Sequence, residues 1–230
     1  RLGDNTIVDR SSPVQVGSDA TWGNVGAASN ASFAIKNGTL WSWGANTFGG
    51  LGQNDTVNRS SPVQVGALTN WSLIVGGNYF SLAIKTDGTL WSWGRNNNGQ
   101  LGQNTATAAN LSSPVQIGAL TTWAVITGGE ASAMAIKTDG TLWSWGKNFY
   151  GELGQNDRVY RSSPTQVGAL TNWKYVAVGN NHTIATKTDG TLWSWGQNNN
   201  YGQLGQNNIV TRSSPTQIGA LTTWLNVTCG

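Results

Sequence analysis

Residues 87–94 read DGTLWSWG, and this stretch decides the fold class. Its Asp-Gly pair predicts a tight β-hairpin, because such pairs accept positive φ at low cost. In the strand that follows, Trp91 and Trp93 are two positions apart, so both indoles project from one face of the sheet. Each indole buries roughly 150–250 Å², so the stretch predicts sheets that pack against one another through their tryptophans.

The same stretch belongs to a unit that recurs along the whole chain. TLWSWG begins at Thr39, Thr89, Thr141 and Thr191. A second motif, Leu-Gly-x-Asn, begins at Leu2, Leu51, Leu101, Leu153 and Leu204. Each copy of the second motif is followed by Ser-Ser-Pro and then by a single Trp, at Trp22, Trp71, Trp123, Trp173 and Trp224. A period of about 50 residues is typical of repeat architectures such as propellers.

One unit contains four segments with the pattern of β-strands. In residues 71–118 these are WSLIVGG, SLAIK, TLWSWG and PVQIG, and no stretch shows a sustained helical period. We therefore expect an all-β fold, a β-propeller with four-stranded antiparallel blades of about 50 residues. The tryptophans expected to have a structural role between blades are Trp41, Trp43, Trp91, Trp93, Trp143, Trp145, Trp193 and Trp195.

Two motifs resemble the regulator-of-chromosome-condensation repeat family. They are DGTLWSWGRNNNGQLG at residues 87–102 and AVGNNHTIA at residues 177–185. The resemblance implies a propeller, usually of seven blades, but not one function: members include a nucleotide exchange factor, β-lactamase inhibitors and plant photoreceptors. The family's signature His appears here only as His182, and no copy carries a long insertion like the one used for exchange.

Repeat counting predicts a single propeller domain over residues 1–230. Its units are approximately 1–50, 51–100, 101–152, 153–203 and a partial unit at 204–230. The first segment of the unit, which we call the inner strand, and the fourth, which we call the outer strand, each occur five times. The two middle strands occur four times. We expect five blades with the fifth split between the two ends, or a slice of a seven-bladed ring.

Composition excludes several functional classes. Only 10% of the residues are charged, and the formal net charge of +3 is scattered, which argues against a nucleic-acid partner. One Cys permits no internal disulfide, and no apolar run is long enough for membrane insertion. No acid–base pair or ligand cluster stands out, so we expect no cofactor, no metal site and no enzymatic activity. Recurring Lys36, Lys85, Lys137 and Lys187 are interpreted as solvated charges, as are the Arg residues that precede Ser-Ser-Pro.

The copies differ from one another mainly in two loops, which follow the first and the third strand of each unit. In an up-and-down sheet both loops emerge at the same end, so they form a candidate recognition surface. Neutral variation of solvent loops would give the same pattern. The candidate binding residues are Tyr79, Phe80, Arg95, Asn97, Lys147, Phe149, Tyr150, His182 and Tyr201. Asn200 belongs to the same loops.

These observations predict that the chain is a non-catalytic scaffold that binds a protein or glycan partner through the variable loops. One alternative is a structural module of a larger surface fibre, filament or virion, with self-assembly through incomplete blade edges. A second alternative is a regulator of a small GTPase by nucleotide exchange. Low charge and many Asn, Thr and Ser residues favour an extracellular, cell-surface or virion setting.

Overall fold

The computed structural model describes residues 2–18, 20–105, 109–199 and 201–230, which form sixteen β-strands and no helix. None of this part of the chain could therefore cross a bilayer as a helix. The strands are β1 (Trp22–Ala27), β2 (Ala31–Lys36), β3 (Thr39–Gly44), β4 (Arg59–Gln64), β5 (Trp71–Gly76), β6 (Phe80–Lys85), β7 (Leu90–Gly94), β8 (Leu111–Gln116), β9 (Trp123–Gly128), β10 (Ser132–Lys137), β11 (Leu142–Gly146), β12 (Arg161–Gln166), β13 (Trp173–Val178), β14 (His182–Lys187), β15 (Leu192–Gly196) and β16 (Arg212–Gln217).

Every four consecutive strands form one antiparallel sheet in chain order. We number them sheet 1 (β1–β4), sheet 2 (β5–β8), sheet 3 (β9–β12) and sheet 4 (β13–β16). The all-β fold and the four-stranded antiparallel unit are thus confirmed. The chain divides into two compact units: Arg1–Asn96 with Ala109–Thr121 contains sheets 1 and 2, and Asn97–Ala108 with Thr122–Gly230 contains sheets 3 and 4.

The Asp-Gly segments form the expected tight hairpins. In sheet 2, Lys85 N donates to Thr89 O at 3.1 Å, and Gly88 has a φ of +75°. Asp87 Oδ1 accepts hydrogen bonds from Thr89 N and Thr89 Oγ1, so the carboxylate replaces a backbone acceptor at the turn. The hairpin places Trp91 opposite Ala83 in the β6–β7 ladder.

The two tryptophans of each pair are buried to different extents. Trp93, Trp145 and Trp195 are fully buried, whereas Trp91, Trp143 and Trp193 remain half-buried. Trp93 Nε1 donates to Gly50 O at 2.8 Å, so this indole joins sheet 2 to a loop of sheet 1. Trp195 Nε1 makes the same contact with Glu152 O in the second unit. Trp93 and Trp195 therefore lie in the core between the two sheets of their units, and Trp91 and Trp193 lie near its edge.

The structure has four sheets, not the five blades expected from repeat counting. Residues 11–16 and 220–230 carry the fifth copies of the outer and inner strands, yet neither segment is a strand. A strand needs a hydrogen-bonding neighbour, and the two middle strands occur only four times. The C-terminal segment keeps one contact of the repeat, because Trp224 N donates to Gly190 O at 3.1 Å as Trp173 N donates to Gly140 O.

Candidate functional site

The two variable loops of each sheet meet at the same end of that sheet. The residue after the third strand donates its backbone N–H to the loop that follows the first strand. These bonds are Ala45 N to Asn30 O, Arg95 N to Tyr79 O, Lys147 N to Ala131 O and Gln197 N to Asn181 O, at 2.8–2.9 Å. We call the loops of one sheet its loop face: residues 28–30 with 45–58, 77–79 with 95–105 and 109–110, 129–131 with 147–160, and 179–181 with 197–199 and 201–211.

In the first unit, the loop faces bring together an aromatic and cationic cluster. The rings of Phe48 and Tyr79 are in edge contact with centroids 5.1 Å apart, and the Arg95 guanidinium carbon lies 5.0 Å from the Phe48 centroid. Tyr79 has a φ of +70°, a conformation that costs a bulky residue energy and is common at functional sites. Sequence analysis found Tyr79 and Arg95 but missed Phe48. Tyr150 occupies the same loop position in its repeat as Phe48 does, and this match could have identified Phe48.

In the second unit, three loops converge on Lys147. Its Nζ lies 2.7 Å from Glu130 Oε2 and donates to Asn181 Oδ1 at 2.9 Å. Beside it, the rings of Phe149 and Tyr150 are in edge contact at 4.8 Å. Phe149 is 57% exposed, so its ring is available to a partner beside that of Tyr150.

A buried amide holds this loop in place. Asn148 is fully buried, and its Oδ1 accepts from Leu153 N at 2.9 Å. Its Nδ2 donates to Asp157 O and Val159 O, both at 3.1 Å. Asn148 therefore satisfies backbone groups on both sides of the loop, as a strand partner would. Phe149 is thus presented by a rigid segment.

The other predicted residues have different environments. Phe80 is fully buried, so its assignment to a recognition surface was wrong: it begins β6 with its ring against Gly77. His182 occupies the same repeat position and is half-buried against Gly179; burial lowers its pKa. Tyr201 is 87% exposed. Asn97 is also exposed and belongs to the second unit, and Asn200 lies outside the described residues.

The interpretation of the recurring lysines as solvated charges was also wrong for three of the four, and Lys36 is half-buried. Lys85, Lys137 and Lys187 are buried between the inner-strand Trp and the first Trp of the pair. Lys85 Nζ lies 5.0 Å from the Trp71 centroid and 3.5 Å from the Trp91 centroid. Burial lowers the pKa of all three lysines, although a neighbouring Asp opposes that shift. Sequence spacing could not reveal this, since it does not show that the Lys stem folds onto the indoles.

The remaining titratable groups do not form a reactive cluster. Across the described ranges, no three His, Cys, Asp or Glu side chains come together as a metal site. Burial raises the pKa of the Cys229 thiol to about 11, which disfavours the nucleophilic thiolate. Glu152 is fully buried; its Oε2 accepts from Tyr150 N at 2.7 Å, and its Oε1 has no partner in the described part of the chain.

Four-stranded antiparallel sheets from one repeated unit define a repeat protein of the β-propeller class. The regulator of chromosome condensation (RCC1) repeat model matches residues 37–84, 87–136, 139–186 and 189–230, and a second RCC1 repeat model matches 71–100 and 173–203. The chain therefore belongs to the RCC1 repeat family. No curated protein matches it by sequence.

Several solved structures share the fold. Prp20p from Saccharomyces cerevisiae, described with its binding to Gsp1p and histones, is 23% identical with a TM-score of 0.78 over 90% of this chain and 53% of its own. Yeast Prp20 bound to Kap60 is 23% identical, with a TM-score of 0.77 over 86% and 49%. Human WBSCR16 is 19% identical, with a TM-score of 0.80 over 94% and 57%. The chain thus spans about half the length of these proteins.

Proposed function

We propose that the chain is a non-catalytic module that binds a protein partner through its loop faces. The observation that carries this proposal is Phe149, a 57% exposed aromatic on a loop held by buried hydrogen bonds. Aromatic side chains in rigid settings are typical anchors of protein interfaces, because little conformational entropy is lost on binding. A protein is also the class of partner described for Prp20p.

The side chains around Phe149 suit a protein interface. Tyr150 adds a second ring with a polar hydroxyl, and Lys147 with Glu130 adds an ion pair of both signs. Apolar anchors surrounded by polar and charged groups are the usual arrangement of such surfaces. In the first unit, Phe48, Tyr79 and Arg95 repeat the combination of rings and a cation.

The absence of catalysis is part of the same proposal. The loop faces present rings, amides and ion pairs, but the titratable groups of the described residues are dispersed. Burial lowers the pKa of His182 and so disfavours its protonated form. An arrangement of this kind can hold a partner but provides no pair of groups for proton transfer.

The test is affinity capture from extracts of the source organism, followed by mass spectrometry. Three baits are compared: the unaltered chain, the double variant Phe149→Ala with Tyr150→Ala, and Leu120→Ala. Leu120 is a matched control, because it is also exposed and follows β8, at the end of sheet 2 opposite its loop face. We expect a protein that is retained by the unaltered chain and Leu120→Ala and lost by the double variant. Equal retention by all three baits would contradict the proposal.

A further inference from the structure

A second kind of surface recurs in both units, and only residues 52–54 and 154–156 of its lining belong to the loop faces. Within each unit a cleft lies between the two sheets, with a volume of about 270 Å³ in the first unit and about 470 Å³ in the second. We call these the inter-sheet clefts. The first is lined by Gln53, Asn54, Leu68, Trp71, Trp91 and Pro114. The second has the equivalent residues Gln155, Asn156, Leu170, Trp173, Trp193 and Pro215.

The walls of the clefts are aromatic and apolar. Trp91 and Trp193 are only half-buried, and each lines its cleft beside an inner-strand Trp. The Nε1 atoms of these half-buried indoles are already bonded to Thr89 and Thr191, so the rings are held in fixed orientations. A fixed, partly open indole offers a flat surface for a ligand with its own apolar face.

Next to the indoles, each cleft has one free amide donor. Asn54 Oδ1 accepts from Ser113 Oγ at 3.0 Å, and Asn156 Oδ1 accepts from Ser214 Oγ at 3.0 Å. The serine orients the amide, and the Nδ2 group has no partner among the described residues in either case. Both Asn residues have a positive φ, 61° and 60°, so the backbone geometry is also shared.

Each cleft also has one free amide acceptor. Gln53 Nε2 donates to Ser42 Oγ and Val63 O, both at 3.0 Å, which fixes the amide and leaves Oε1 without a partner in the described ranges. Gln155 Nε2 makes the equivalent bonds to Ser144 Oγ and Thr165 O. A donor and an acceptor on neighbouring residues can bind adjacent hydroxyl groups of one ligand.

None of the residues that line either cleft is ionisable. A charged ligand would therefore find no counter-charge in the wall, whereas a neutral one has no such requirement. Indole faces for apolar C–H surfaces, with an amide donor and acceptor for hydroxyls, match the two sides of a sugar ring. We propose that the inter-sheet clefts bind a neutral glycan. Their recurrence in both units suits a ligand that is itself a repeating chain.

Titration calorimetry tests this with cellohexaose, maltohexaose and hexa-N-acetylchitohexaose as neutral probes and a heparin hexasaccharide as the charged probe. We expect at least one neutral probe to bind and heparin not to compete with it. The double variant Asn54→Gly with Asn156→Gly removes the donors while tolerating positive φ, and should weaken binding about three- to tenfold. Asn207→Gly is the matched control: Asn207 has the same repeat position and a φ of 55°, but no later sheet follows it in the described residues.

Three outcomes would overturn the glycan proposal. They are no binding of any neutral probe at about 10 mM, binding of heparin alone, and equal affinity in the double variant and the unaltered chain. Phe149→Ala with Tyr150→Ala should bind the sugar normally, because neither residue lines a cleft. Failure of the glycan site and failure of the protein-binding loop faces are therefore distinguishable.

Discussion

The ammonium nitrogen of Lys85 lies 3.5 Å from the centroid of the Trp91 indole ring. The same contact recurs between Lys137 and Trp143 and between Lys187 and Trp193, both at 3.6 Å. The indole ring and the neighbouring Asp both compensate for the buried charge of each lysine. The arrangement is a repeated stabilising element of the sheets.

Replacing Lys85 separates the charge from the aliphatic stem. Lys85→Met keeps a long side chain against the indoles but loses the cation–π contact, and should destabilise the chain by about 1 kcal/mol. Lys85→Ala also loses the packed stem and should cost about 2–3 kcal/mol. Urea unfolding measures both, and Lys174→Met, at an exposed Lys, should change stability by less than about 0.5 kcal/mol. A Met variant more stable than the original would show that desolvation outweighs the ring contact.

Glu152→Gln should stabilise the chain by about 1–2 kcal/mol near neutral pH, because it removes a buried charge. The amide suits the site: Gln100, at the same repeat position, accepts from Asn98 N at 2.8 Å. Gln100→Glu is the reverse change at the equivalent position, and it should destabilise the chain. Urea unfolding of both variants measures the two effects, and stability losses in both would argue against a charge-based explanation.

The same residue predicts a pH dependence. Burial raises the folded-state pKa of Glu152 above its ordinary value of 4.5. At pH values below the ordinary pKa, the carboxyl is protonated in both the folded and the unfolded chain, so no charge is buried. As the pH rises towards the folded-state pKa, the unfolded chain releases its proton first, and the stability of the folded chain falls. The advantage of Glu152→Gln should therefore grow with pH above about 4.5 and then level off. Parallel stability curves for the two proteins would contradict this.

Gly140→Ala should destabilise the chain by about 2–4 kcal/mol, because a Cβ there would overlap Thr171 O and the residue has a φ of +76°. Gly168→Ala is the control for backbone strain alone. Gly168 has a φ of +59°, and its Cβ would meet no atom within 4 Å, so its cost should be about 1 kcal/mol. Thermal unfolding of both variants gives the steric contribution by difference. Equal costs would show that the close approach of Thr171 is relieved by a small shift.

Asn148→Ala should cost about 2–4 kcal/mol, since it leaves the buried Leu153 N and the carbonyls of Asp157 and Val159 without their amide partner. It should also weaken capture of any partner that depends on Phe149, because the loop loses its internal support. Asn97→Ala, at an exposed amide, should change stability by less than about 0.5 kcal/mol. Hydrogen exchange of residues 149–153 would report the loosening directly, and unchanged protection there would refute it.

Sequence reasoning located part of the candidate site and misjudged the rest. Tyr79, Arg95, Lys147 and Phe149 were found because they vary among otherwise uniform loops. Phe80 varies in the same way, yet it is a core residue, since the first position of β6 faces inward. Phe48 was missed because its contact with Tyr79 joins loops of two different sheets. The inter-sheet clefts were missed for the same reason.

The sequence by itself determined the strands, their antiparallel order and the family, because hairpins and alternating side chains depend on residues a few positions apart. Tertiary structure decided which side chains are buried and which meet, including Lys85 with Trp91, Phe48 with Tyr79, and the amide pair of Gln53 and Asn54 with the indoles. These contacts join separate strands and loops, in several cases from neighbouring sheets. Only the packing of one element on another brings them within reach.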